Sequence, residues 1–182
     1  MEHTHTKHEE NQEIFIRLEH YDDIFSDFDI RPYSKRALSV DFLDEIKRAS
    51  QDKVIGGIDL VLHMHEKDRS ESHEVTIRER LAAHFKKHHH LLLKEKKGVV
   101  KLGSGMVSVG VLFMVAATYI VFKDPEKSAL MSFLLVFLEP AAWFLLWEGM
   151  DQIIFKSKGI NPELDFYRKM SDSHVRVHFK SY

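Results

Sequence analysis

The stretch that decides the fold lies between Leu102 and Trp147 and reads LGSGMVSVGVLFMVAATYIVFKDPEKSALMSFLLVFLEPAAWFLLW. Its first part, Leu102–Phe122, contains no Asp, Glu, Lys or Arg, and its second part, Ser128–Trp147, contains one charged residue, Glu139. A bilayer core is about 30 Å thick, so a helix needs about 20 apolar residues to cross it. Because both parts have that length, the sequence predicts two membrane-spanning helices.

The five residues Lys123–Lys127 are polar and are long enough only for a tight turn. We therefore expect a two-helix transmembrane hairpin over residues 98–150, with spans at 102–122 and 128–149. The alternative is a pair of core helices in a soluble protein. Outside Leu102–Phe122 and Ser128–Trp147, the chain is too short and too charged to enclose them, because it holds all of the 26 basic and 28 acidic residues except Glu139.

Basic residues flank the spans unevenly and predict their orientation. They lie before the first span (Lys86, Lys87, Lys94, Lys96, Lys97 and Lys101) and after the second (Lys156, Lys158, Arg168 and Lys169). Short loops rich in Lys and Arg stay in the cytoplasm. We therefore expect a multi-pass protein of the cell membrane with both termini cytoplasmic. The polar N-terminus predicts no cleaved secretory signal, and the absence of cysteine fits a reducing compartment.

The remaining sequence predicts a cytoplasmic α/β domain with a small mixed sheet of about three strands. Period-two alternation predicts strands at Ile14–His20 and Ile58–Glu66 and a third near 174–180. A helix capped by Ser39 lies between the first two strands, so these should be parallel. Because both ends of the chain lie on one side of the membrane, the last strand can return to that sheet.

Four further segments complete the predicted organisation. Residues 1–10 form a mobile polar tail, residues 11–72 the cytoplasmic domain and residues 73–97 a helical stalk. Residues 151–182 form a cytoplasmic C-terminal segment. We expect the stalk helix to break at Gly98, just before the first span.

Glu139 is the most informative single residue, because it lies near the middle of the second predicted span. A charged side chain at the bilayer centre costs on the order of 3 kcal/mol, so it should face protein or water. Ser128 and Ser132 fall on the same helical stripe, and Pro140 removes a backbone donor beside it. We interpret Glu139, Ser132, Ser128, Pro140 and Glu148 as a pathway for cations or protons. The alternatives are a protonated Glu139 that only bonds neighbouring helices and a span boundary placed elsewhere. For Glu148 the alternative is a solvated charge at the helix end.

Small residues repeat every seven positions in the first span, at Gly103, Gly110 and Ala117, beside Ser104 and Ser108. Such stripes let membrane helices approach closely. Packing within the hairpin can use this stripe, but two helices cannot enclose Glu139. The sequence therefore predicts a homo-oligomer in the lipid bilayer.

Thirteen histidines are concentrated outside the spans, and three pairs have the spacing of metal ligands: His63 with His65, His84 with His88, and His174 with His178. Neutral imidazole binds zinc, copper or nickel, so a divalent metal is one hypothesis. A pH response and a merely solvated polar surface are the alternatives, and no cofactor is certain.

No phosphate-binding loop, nucleophile elbow or zinc signature occurs, so we do not expect an enzyme. Nucleic-acid binding is not expected either, because residues 1–97 carry 17 basic against 20 acidic groups. Two functions remain. The first is an oligomeric two-pass protein that forms or gates a cation or proton pathway around Glu139. The second is a membrane-anchored binding or scaffold module, responsive to metal, pH or lipid, with a purely structural hairpin.

Overall fold

The computed structural model describes residues 13–53, 58–123, 128–172 and 175–182. The predicted tail at residues 1–10 lies outside the described residues, as do most of the predicted turn Lys123–Lys127 and His174. The chain divides into two compact units. The first contains residues 1–90 and 163–182, and the second contains residues 91–162.

A three-stranded sheet organises the first unit. Its strands are β1 (Glu13–Arg17), β2 (Asp59–Met64) and β3 (Arg176–Ser181), in the order β1-β2-β3. Both strand pairs are parallel, with Ile14 beside Leu60 and Leu60 beside Val177. The predicted parallel pairing of the first two strands and the return of the last are therefore confirmed. The expectation of a mixed sheet was wrong, because each connection crosses back to the same end of the sheet before the next strand begins.

One face of the sheet forms the core with three helical segments. These are α1 (Val40–Ala49), the first turns of α2 (Glu71–Lys123) and α5 (Asn161–Met170). Burial alternates along β1, whereas β2 also buries Val61 on its other face. The core side chains on the helix-covered side are Ile14, Ile16, Leu60, Leu62, Met64, Phe42, Ile46, Ile77, Leu81, Phe85, Leu164, Phe166, Tyr167 and Met170. In the C-terminal segment the sequence predicted only a strand, and α5 was not predicted.

Two local predictions need correction. Helix α2 is continuous over 53 residues and does not break at Gly98. A single glycine costs a helix only about 1 kcal/mol, which a helix of this length tolerates. Ser39 occupies the N-cap position of α1, but its side chain makes no capping hydrogen bond. Its backbone carbonyl accepts from the N–H of Leu43 instead.

The second unit contains the C-terminal part of α2 and helix α3 (Ala129–Asp151). Helix α3 passes through Pro140 and leads into a π-helical turn (Gln152–Lys156) and a single turn, α4 (Ser157–Gly159). In the described part of the chain, two helical segments, Glu71–Lys123 and Ala129–Gly159, are long and apolar enough to cross a membrane.

Candidate functional site

Small residues bring α2 and α3 into close contact. A Cβ added to Gly103 would lie 2.7 Å from the carbonyl oxygen of Gly149, and one on Gly110 would lie 3.1 Å from that of Ala142. Along α2 the contacting residue rises from 103 to 110, while its partner in α3 falls from 149 to 142. The two helices are therefore antiparallel here. Ala117, the third member of the predicted stripe, is also buried.

The hydroxyl groups beside this stripe do not join the helix contact. Ser104 and Ser108 are both exposed. The Ser108 hydroxyl donates to the carbonyl of Ser104 at 2.8 Å, and Thr118 donates in the same way to Met114. Both bonds stay within α2, so the hydroxyl groups of Ser108 and Thr118 already have backbone acceptors.

Glu139 lies on the surface of α3 beside its contact with α2. The buried residues of α3 are Leu135, Ala142 and Gly149, whereas the side chains of Glu139 and Pro140 are exposed. A helix turns by about 100° per residue, so Glu139 lies about 60° around α3 from Ala142.

Ser132 and Ser128 fall within about 20° of Glu139 on the same stripe of α3. Ser132 is half-buried, and Ser128 is the N-cap of α3, whose hydroxyl accepts from the N–H of Met131 at 3.4 Å. No hydrogen bond links the three side chains within the described residues. The three side chains thus lie on one face of α3, and the Glu139 carboxylate is exposed on the surface of the helix pair.

Glu148 belongs to a different cluster from Glu139. It lies about 180° around α3 from Glu139. Its Oε1 accepts from Nε2 of Gln152 at 2.8 Å and from Nζ of Lys156 at 3.1 Å, and the same ammonium lies 3.9 Å from Asp151. Glu148 is therefore held at the π-helical turn. Sequence reasoning missed the buried Gln152, although its position one turn after Glu148 was a usable signal.

The five histidines predicted as metal ligands that the structure describes do not gather at one site. The His63 ring lies 5.9 Å from that of Phe15, and His65 packs on Tyr182. Nε2 of His178 is 3.7 Å from the Asp59 carboxylate, and His174 lies outside the described residues. In the ranges that the structure covers, no three His, Asp or Glu side chains are placed to share a metal ion.

His84 and His88 do meet, on α2 beside α5. Their rings stack with centroids 4.2 Å apart, and His88 also stacks on Tyr167 at 5.1 Å. Nε2 of His84 is buried without a hydrogen-bond partner among the described residues. Burial, with smaller contributions from His88, Arg80 and Lys87, lowers the pKa of His84 to about 4, and burial also lowers that of His88. Both rings are therefore neutral at pH 7.

A buried carboxylate that sequence reasoning missed joins α2 to the sheet. Glu74 accepts from Nε of Arg69 at 2.8 Å, from Nη2 of Arg78 at 3.1 Å and from the Tyr21 hydroxyl at 3.3 Å. Nε of Arg78 donates in turn to the carbonyl of Val177 in β3. The charged pairs and hydrogen bonds explain how a carboxylate is tolerated in the core. No local sequence pattern indicates that Glu74 contacts Tyr21 or that Arg78 contacts Val177.

The loop between β1 and α1 is held by pairing of an Asp with an Arg, which its sequence indicates. Asp29 accepts from Nε of Arg31 at 2.8 Å and from the N–H of Ala37 at 2.6 Å. The Arg31 side chain, followed by the Ala37 amide, holds the pKa of Asp29 well below its usual range. The side chains on either side of this anchor, Phe28 and Ile30, are 99% and 98% exposed. An ordered loop thus presents two apolar side chains to the surroundings.

Comparison with known proteins adds no further likeness. No protein-family model matches the chain, and no curated protein or solved structure matches it.

Proposed function

We propose that the chain is a two-pass membrane protein whose copies assemble around Glu139, where a cation or proton is passed or sensed. Residues 102–122 and 128–149 would form a transmembrane hairpin, with the first unit and both termini in the cytoplasm. The observation that carries the proposal is the exposed carboxylate of Glu139 on an apolar helix surface.

The exposed apolar surface of the second unit supports membrane insertion. Large side chains such as Leu112, Val115, Phe133, Val136 and Phe137 are exposed on α2 and α3. Soluble proteins rarely expose contiguous apolar surface on this scale. Only 11% of the most apolar window of each helix is buried, whereas the core helix of a soluble protein would be mostly buried.

The position of Glu139 supports assembly of several copies. The contact of α2 with α3 already uses the small residues Gly103, Gly110 and Gly149, and it leaves Glu139 outside. An ionised side chain facing lipid at this depth costs on the order of 3 kcal/mol. A second copy packed on the stripe of Ser128, Ser132 and Glu139 would remove that cost by giving the carboxylate polar neighbours.

The groups beside Glu139 suit a proton or a small cation. Pro140 has no N–H, so the carbonyl of Val136 lacks its usual helical donor and is free to accept from or coordinate another group. Together with the hydroxyl of Ser132, this gives oxygen ligands on one helix surface, and hard cations prefer oxygen. A carboxylic acid that only bonds neighbouring helices would use the same neighbours, but it would carry no flux.

Flux into proteoliposomes tests this function. Purified full-length chain would be reconstituted, and proton and monovalent cation entry would be followed with internal dyes for the parent, Glu139→Gln and Glu139→Ala. Glu95→Gln, which removes an exposed carboxylate of α2 outside the apolar run, is the matched control. We expect flux in the parent and in the control and at least a tenfold loss in both Glu139 variants. Unchanged flux in these variants, or none in the parent, would overturn the proposal.

A second candidate function is a membrane-anchored binding module with a structural hairpin. The exposed pair Phe28 and Ile30 favours it, because the loop that carries them is held in place by Asp29. Exposed apolar side chains on an ordered loop are typical of contacts to a protein partner. This function predicts that the first unit keeps its partner on an unrelated membrane anchor and loses it in Phe28→Ser/Ile30→Ser. It also predicts that Glu139→Gln changes only assembly.

A further inference from the structure

Four lysines of the second unit lie near the same end of the pair formed by α2 and the segment after α3, and we call them the lysine collar: Lys94, Lys97, Lys101 and Lys158. All four are exposed. Within the described ranges, their ammonium groups have neither an ion-pair nor a hydrogen-bond partner. Lys96 differs from them, because its Nζ donates to Oδ1 of Asn161 at 2.6 Å.

The continuity of α2 through Gly98 aligns the first three members of the collar. At about 100° per residue, Lys94, Lys97 and Lys101 lie within about 60° of one another, whereas Glu95 points to another side of the helix. A break at Gly98 would have separated Lys101 from the other two.

Lys158, which lies in α4, is at the same position along the helix axis as part of the collar on α2. The antiparallel contacts of Gly103 with Gly149 and of Lys96 with Asn161 place residues 149–161 alongside residues 96–103. Lys158 therefore lies near the N-terminal members of the collar along the helix axis.

Among the acidic residues of this part of the second unit, Glu95 is exposed, whereas Glu148 and Asp151 are already engaged. Lys156 lies 3.1 Å from Glu148 and 3.9 Å from Asp151, so one ammonium partly neutralises both carboxylates at the π-helical turn. The collar itself thus keeps a net positive charge.

We propose that the lysine collar binds the phosphate groups of anionic phospholipids. This inference rests on the proposed membrane insertion. Lys101 directly precedes the apolar run that begins at Leu102, and Lys94 lies about 10 Å further along the helix axis, within roughly a Debye length of a membrane surface. Lysine stems can lie along apolar chains while the ammonium reaches the headgroups. This continuity with the apolar surface favours lipid over an acidic protein.

The two tryptophans of the chain provide a built-in probe. Trp143 and Trp147 are exposed on α3, within a few residues of Gly149 and thus near the collar end of the helix pair. The full-length chain would be reconstituted in phosphatidylcholine vesicles that contain a minor fraction of phosphatidylserine. Either the phosphatidylserine or an equal fraction of the phosphatidylcholine would carry brominated acyl chains, which quench tryptophan on contact.

We expect stronger quenching by brominated phosphatidylserine, corresponding to roughly fivefold local enrichment for each lysine engaged, with the preference weakening at high salt. The combined variant with Gln at all four collar positions should lose the preference, and the corresponding Arg variant should keep it. Lys86→Gln/Lys87→Gln, which removes two exposed lysines of the first unit, should also keep it.

Equal quenching by the two brominated lipids in the parent would overturn the inference and leave membrane insertion standing. Equal quenching is also the result expected if the collar binds an acidic protein instead of a lipid. A phosphatidylserine preference that persists in the Gln variant would overturn it as well. If neither brominated lipid quenches, membrane insertion itself is wrong, and the inference is overturned together with the proposed function.

Discussion

The carbonyl oxygen of Gly149 lies 2.7 Å from the place that a Cβ on Gly103 would occupy. Gly105, two residues further along the same helix, has open space around the equivalent position. The two glycines thus differ in the closeness of α3.

Replacing these glycines by alanine should change stability in opposite directions. Gly103→Ala forces the helices apart and should lower the free energy of unfolding by about 1–3 kcal/mol. Gly105→Ala adds only helix propensity and should raise it by up to about 1 kcal/mol. Thermal unfolding of the detergent-purified chain, followed by circular dichroism, measures both. Equal effects of the two substitutions would show that the close contact is absent.

Glu74 should be essential for the stability of the first unit. Glu74→Gln leaves Arg69 and Arg78 without their shared carboxylate, and breaking such a buried pair costs about 3–5 kcal/mol. Because both arginines are partly exposed, we expect a loss nearer 2 kcal/mol. Amide hydrogen exchange in β2 reports on this unit. Glu71→Gln at the exposed neighbouring position is the control and should change exchange little.

The stacked pair of His84 and His88 predicts a loss of stability in acid. The pKa of His84 is lowered from 6.5 to about 4 by burial, with His88, Arg80 and Lys87 adding to the effect. Between these values the unfolded chain binds a proton that the folded chain does not. Stability is therefore fully present above pH 6.5 and falls as the pH drops toward 4.

The size of this effect is on the order of 1 kcal/mol, because the half-buried ring is partly screened by solvent. Exchange of the β2 amides at pH 7 and pH 5, corrected for the intrinsic exchange rate, measures it. His84→Gln should flatten the pH dependence, whereas His90→Gln at an exposed position should not. If the pH dependence of stability were unchanged in His84→Gln, the attribution of the effect to His84 would be contradicted.

Asp29 should control the order of the loop that carries Phe28 and Ile30. Asp29→Ala removes the acceptor for the side chain of Arg31 and for the N–H of Ala37. We expect the Ala37 amide to exchange at least tenfold faster and the second unit to be unaffected. Asp27→Ala, an exposed neighbour, should leave exchange at Ala37 as it is in the parent. If Asp29→Ala also left it unchanged, the loop would owe its order to other contacts.

The sheet and the apolar helices were predictable because their signals are local. Alternation in β1 and β2 places Ile14, Leu60 and Leu62 on one face, and the structure buries all three. Helix α5 was not predictable in the same way. It is only ten residues long, and its buried side chains, including Phe166 and Tyr167, are selected by contacts with Phe85 on the distant helix α2.

The candidate sites likewise combine local spacings that are visible in the sequence with long-range contacts that are not. The spacing of Gly103 and Gly110 is visible in the sequence, but their partners Gly149 and Ala142 depend on the register of two helices. Likewise, the spacing of His84 and His88 is local, whereas the stack on Tyr167 joins positions far apart in the chain. Sequence patterns identify the faces of single elements, and tertiary packing decides which faces meet.

Cross-linking between copies tests the central claim, that the Glu139 faces of neighbouring chains meet, most directly. The chain has no cysteine, so one substitution places a single thiol. Ser132→Cys lies about 20° from Glu139 around α3 and keeps the carboxylate, whereas Phe144→Cys lies about 140° away. In proteoliposomes with a short thiol cross-linker, we predict covalent dimers for Ser132→Cys and far fewer for Phe144→Cys. A Ser132→Cys chain that remains monomeric, or dimers of Phe144→Cys alone, would contradict the account.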